Sequence, residues 1–139
     1  MADNGAMEGL KKQRTEAAWV CVNGWGPRER KEASATAQGL PVLLRTQGCA
    51  ATLAVLVRWN SPLSEDLLAW LVHSTQRRAG TRGWPDSPIV LAEPTLDAFL
   101  DRFVRLSAED ARRVEAEALS FAALLKLYAK VLPDGGGRR

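Results

Sequence analysis

Residues 40–59 read LPVLLRTQGCAATLAVLVRW, and how this stretch folds decides the architecture. Wound at about 100° per residue, Leu43, Ala50, Val57, Leu53, Val42, Cys49 and Leu56 gather on one broad apolar face. Ala54, Gln47, Arg58 and Ala51 fall opposite, and Arg45, Thr52 and Gly48 form a third strip. The stretch is expected to be a helix with one face in a core. Glycine costs a helix interior about 1 kcal/mol relative to alanine. Gly48 therefore predicts either a close backbone neighbour or a bend. The polar outer side implies a second contact, with another element or with a phosphate backbone.

Working outward, Gly39 reads as the stop of a preceding helix over Arg28–Gln38, and Pro41 as a first-turn residue. A first helix is expected over Met7–Asn23, with Leu10, Ala17, Val20 and Cys21 inward and Lys11, Lys12 and Arg14 outward. Gly24, Gly26 and Pro27 mark the turn between them. Beyond Trp59, Ser61-Pro62 or Ser64 starts a helix whose Leu67, Leu68, Leu71 and Val72 face inward. It fades into RRAGTRGWPDSP, residues 77–88, and IVLAE, residues 89–93, is too short to build a sheet. Residues 79–93 are expected to form a mobile loop. Thr95 opens TLDAFLDRFVRL, with Leu96, Phe99, Phe103 and Leu106 on one face. Ser107 and Asp110 resemble a capping box. In the last helix, Ala111, Val114, Ala118, Phe121, Leu125, Tyr128 and Leu132 recur at alternating steps of three and four, an inward seam. Residues 133–139 read as a frayed tail. The expectation is an all-α fold, a single domain over residues 1–139 built as a bundle of about five or six helices.

The chemistry is sparse. His73 is the one histidine, and nothing pairs it with a nucleophile and an orienting acid. Asp97 and Asp101 have the spacing of a metal pair, but Arg102 and Arg105 beside them favour surface ion pairs. Glu115 and Glu117 form a second acidic pair. Cys21 and Cys49 lack metal-ligand spacing and read as buried thiols. No phosphate-binding loop, dinucleotide fingerprint or zinc-protease motif occurs. No enzymatic activity, metal or cofactor is expected. Arg45, Gln47 and Arg58 interrupt the best apolar run well short of the roughly 18 residues of a membrane span. The N-terminal stretch has no apolar signal core, so the expected location is cytoplasmic, with no membrane partner. Residues 9–60 carry eight basic side chains against three acidic ones, on a near-neutral remainder. That imbalance fits a polyanion partner or an ordinary solvated surface. Trp19, Trp25, Trp59 and Trp84 interleave with the cations, as in single-strand binding surfaces or in a helical core. Trp84, in the glycine-rich loop, is the one least expected in a core.

Two segments carry a family resemblance. LPVLLRTQGCAATLAVLV, residues 40–57, resembles the signature of the small α-helical subunit of type III-B CRISPR (Cmr) effector complexes, through Leu40-Pro41, Gln47-Gly48 and Thr52-Leu53-Ala54. EALSFAALLKLYAK, residues 117–130, resembles the closing helix of that family through Glu117-Ala118-Leu119, Lys126 and Ala129. Tyr128 stands where the family has Phe, and Leu127 where it has Arg. The resemblance implies a non-catalytic subunit of an RNA-guided complex, partnered by other Cmr subunits. It implies head-to-tail stacking of several copies along a channel that holds guide RNA and target RNA.

On that reading the basic face contacts the RNA backbone without reading bases, since guide and target sequences vary. The candidate RNA-binding residues are Lys11, Lys12, Arg14, Arg45, Arg58 and Lys126, with Arg77, Arg78 and Arg82 near the loop. Two other functions compete with it. One is a helical protein-interaction or regulatory module with no RNA role. The other is a small nuclease using His73.

Overall fold

A computed structural model of the protein describes residues 2–75 and 83–132. Among these are six helices: α1 (Ala2–Gly24), α2 (Pro27–Gln47), α3 (Cys49–Arg58), α4 (Pro62–Leu71), α5 (Leu96–Phe103) and α6 (Ala108–Val131). The protein is an all-α bundle, as its periodicity predicts. None of the helices is long and apolar enough to cross a membrane.

The bundle is organised around α6, on which α1, α2, α3 and α4 all pack. Ser107 starts α6 by accepting the Asp110 backbone N–H at 3.1 Å. The expected seam then enters the core: Val114, Ala118, Phe121 and Leu125 are buried, while Ala111, Tyr128 and Leu132 lie at its edges. The two helix starts proposed around Ser61 and Thr95 are also found. Ser61 accepts from Leu63 N at 3.2 Å, and Thr95 accepts from Ala98 N at 3.4 Å.

The helix boundary expected at Gly39–Pro41 does not exist. α2 runs straight through both residues. Ala33, Ala37, Leu40 and Leu44 are buried at steps of four, three and four, and this unbroken stripe holds the helix together across them. Pro41 forfeits one backbone hydrogen bond, but it is itself buried on the packed side. Val20, expected inside, is 64% exposed, because α1 turns Ala18 and Val22 inward instead.

The stretch after α4 also departs from expectation. Its described part, residues 83–93, is anchored to the bundle. Trp84 is 4% exposed, and its backbone N–H donates to Trp70 O at 2.8 Å. The Ser87 hydroxyl donates to Leu71 O, and Ile89 is fully buried. The placement of Trp84 outside the core is therefore wrong: its indole joins the core cluster, with the Arg113 guanidinium 5.5 Å from its ring. A two-residue parallel pair follows, β1 (His73–Ser74) with β2 (Val90–Leu91), where no sheet was expected. The rest of the predicted loop and the predicted tail at 133–139 lie outside the described residues.

Candidate functional site

The segment that opens the sequence reading is two helices joined at Gly48. Gly48 has φ 87° and ψ 166°, a region of backbone space that only glycine occupies readily. Its N–H closes α2 on Leu44 O at 2.9 Å, and its carbonyl accepts the first α3 bond from Thr52 N at 3.1 Å. One residue thus ends one helix and begins the next.

A carboxylate from α6 fixes the joint. Glu115 Oε1 accepts the Cys49 N–H at 2.9 Å, at the N-terminus of α3, where negative charge is favoured. Its other oxygen lies 3.1 Å from where a Gly48 side chain would begin. Burial, and then the neighbouring Glu115 charge, push the Cys49 thiol well above the ordinary cysteine range, so it stays protonated. Eleven residues along α6 from Glu115 is Lys126, whose carbonyl accepts Gln38 Nε2 from α2 at 3.4 Å. The second half of α2, from Gln38 to the joint at Cys49, is therefore tied to α6 and runs antiparallel to it.

The bend re-aims the outer surface. Thr52, assigned to the third strip with Arg45 and Gly48, is buried, and Val42, assigned to the core face, is 55% exposed. Both corrections follow from the break, since a single wheel cannot describe two helices with different axes. What remains outside is Val42, Arg45, Thr46 and Gln47 on α2, then Ala51, Ala54, Arg58 and Val57, the last also assigned to the core face, on α3, with Trp59 beyond. Arg45 and Arg58 are exposed, and neither meets an acidic side chain among the described residues. Lys11 and Lys12 are exposed on α1, and Lys126 is half-buried on α6. Arg77, Arg78 and Arg82 lie outside the described residues.

Arg14 is not part of this surface. Its guanidinium grips Glu117 with two bonds, Nε to Oε2 at 2.6 Å and Nη2 to Oε1 at 2.9 Å. Glu117 also accepts Trp70 Nε1 at 2.8 Å. The sequence reading placed Arg14 outward with its lysine neighbours. The structure instead commits it to a fork-to-fork pair that neutralises a buried carboxylate. Glu117 could have been found from spacing, since it lies three residues after Val114 and four before Phe121 on the inward seam. Its acidity masked that signal.

No three His, Cys, Asp or Glu side chains converge to hold a metal among the described residues. Asp101 pairs with Arg105 at 3.2 Å in solvent, as an i,i+4 surface pair does. The sequence profile of the family described as CRISPR-associated protein (Cas_Cmr5) matches residues 10–132. No curated protein matches the chain.

Proposed function

The chain belongs to the CRISPR-associated Cas_Cmr5 family, the small-subunit family of type III-B systems, and from that premise we propose that it is a non-catalytic element lining the RNA channel of a Cmr complex. Several copies stack head to tail along the complex, each adding one bundle. The face offered to guide and target RNA is the outer side of α2 and α3, with Arg45 and Arg58 as its principal contacts and Lys11, Lys12 and Lys126 in support. Arg77, Arg78 and Arg82 belong to the same proposal on charge alone.

One observation carries this reading. The signature segment is locked to α6 from the inside by Glu115, while its outer side keeps two arginines that no acid of the described chain neutralises. Exposed cations without an internal partner are available to phosphates. Phosphate contact also suits a channel whose RNA sequence is set by pairing elsewhere.

The test is affinity against salt for two unrelated single-stranded RNAs, using the reconstituted complex with wild-type chain, Arg45→Ala and Arg58→Ala. Affinity should fall with a slope of about 0.7 log units per contacted phosphate per log unit of salt. Each substitution should lower that slope by about one contact and weaken both RNAs alike. A strong preference between the RNAs, or slopes unchanged by either substitution, would overturn the assignment.

A further inference from the structure

Away from the α2–α3 surface, a cavity of about 710 Å³ opens between α1, α4 and α6. Trp19, Trp70 and Phe121 give it aromatic walls, His73 joins them from β1, and among the described residues its charged groups are Glu16 and Asp66. No lysine or arginine among the described residues lines it.

The molecule itself supplies a comparison. Two of its carboxylates accept an indole N–H at 2.8 Å: Glu117 from Trp70, and Asp66 from Trp25. At Glu117 the arrangement is completed by the Arg14 guanidinium. At Asp66 no cation of the described chain does so. Asp66 sits among Trp25, Cys21 and the walls of the cavity, poorly solvated and with no cation among the described residues to balance its charge. A guanidinium is the group that resolves this, because it pairs with a carboxylate through a planar fork and stacks on indole faces. An ammonium has only the first capacity.

We propose that this cavity receives an arginine side chain carried by a partner polypeptide, its guanidinium against the Asp66 carboxylate and its flat face on the indoles of Trp19 and Trp70. Glu16, exposed at the rim, adds attraction for the approaching cation. Trp19 is well placed to serve, since it is 43% exposed and its contact with Tyr128 is edge-on, at 5.5 Å. The surface is thereby divided: cations outside α2 and α3 for a polyanion, and an acidic aromatic cavity for a basic protein segment. The inference is independent of the RNA proposal, and its test contains no step that needs it.

The experiment titrates the intact chain with the capped peptide acetyl-Gly-Arg-Gly-amide and follows the indole N–H signals by NMR. The expected result is a saturable shift of the Trp19 and Trp70 signals. The citrulline peptide, which keeps the shape and loses the charge, should bind at least about tenfold more weakly. Glu16→Gln, a rim change that leaves the core untouched, and Asp66→Asn should each weaken arginine binding, whereas Glu32→Gln on the exposed side of α2 should not. Equal binding of the citrulline peptide, or no saturable shift, overturns the proposal. So does displacement of the peptide by oligouridylate, which would make the cavity a nucleic-acid site. Shifts of the same indoles with rising protein concentration alone would assign the cavity to a second copy of this chain.

Discussion

At the residue scale, Gly48 and Asp66 carry the sharpest consequences. Gly48 holds a conformation reserved for glycine, with the Glu115 carboxylate where a side chain would begin. Gly48→Ala is expected to destabilise the fold by about 1–3 kcal/mol despite alanine's better helix propensity. A chemical-denaturation midpoint equal to wild type would refute that. Asp66 makes stability depend on pH. Desolvation lifts its carboxyl from 3.8 to about 6, against the opposing hydrogen bonds from Trp25 and Cys21, with Glu65 of α4 and Glu29 of α2 adding to the rise. The folded chain therefore holds this proton more tightly than the unfolded chain. The resulting stabilisation is fully present below about pH 4 and is lost as pH rises through about 6. Asp66→Asn should consequently be close to neutral near the acid end and stabilising at pH 8, by on the order of 1–3 kcal/mol. The check is thermal unfolding of both proteins across that range; a difference independent of pH would contradict it. Residues such as these are where sequence reading is weakest. Arg14 and Glu117 each look like surface charges alone, and only their meeting across 103 positions turns them into a core pair.

At the element scale, periodicity succeeded where one helix face sees one environment. The seam of α6 is the clearest case, and its boundary was legible because Ser107 carries an oxygen that meets Asp110 N. Substituting Phe121 or Leu125 by Ala should cost about 2–5 kcal/mol each, read as a lowered denaturation midpoint. An unchanged midpoint in both would remove α6 from the centre of the core. Phe121 carries the larger expected loss, because its ring also stacks on Trp70 at 5.5 Å. Punctuation residues misled where packing overrides propensity. Gly39 and Pro41 read as stop and start, yet the buried stripe of α2 continues through them. Gly48 carries the same kind of signal and does break the helix, because Glu115 is there to receive the freed N–H of Cys49. The two glycines differ in what faces them, and one-dimensional spacing holds no record of that. The same holds for Trp84, whose loop composition conceals that it is buried in the core.

At the scale of the whole molecule, the bundle offers two chemically different surfaces, and nothing in its geometry demands a two-fold partner. Head-to-tail stacking uses two distinct patches, which do not close on themselves in a pair. The free chain is expected to sediment as a monomer at micromolar concentration, and a tight two-fold dimer would argue for a regulatory module instead. The fold class and the signature segment were legible in the sequence because both depend on repeating local patterns. The division into two surfaces was not, because it depends on which charges the core consumes. The position of α6 has one more consequence, for the ribosome. α1, α2, α3 and α4 all rest on a helix that is translated after them. Until residues 108–131 have left the exit tunnel, the faces that α1 and α2 turn toward α6 stay uncovered. The nascent chain must therefore wait, with those faces uncovered, for α6. Synthesis rate and chaperone supply should govern its yield more than its final stability does.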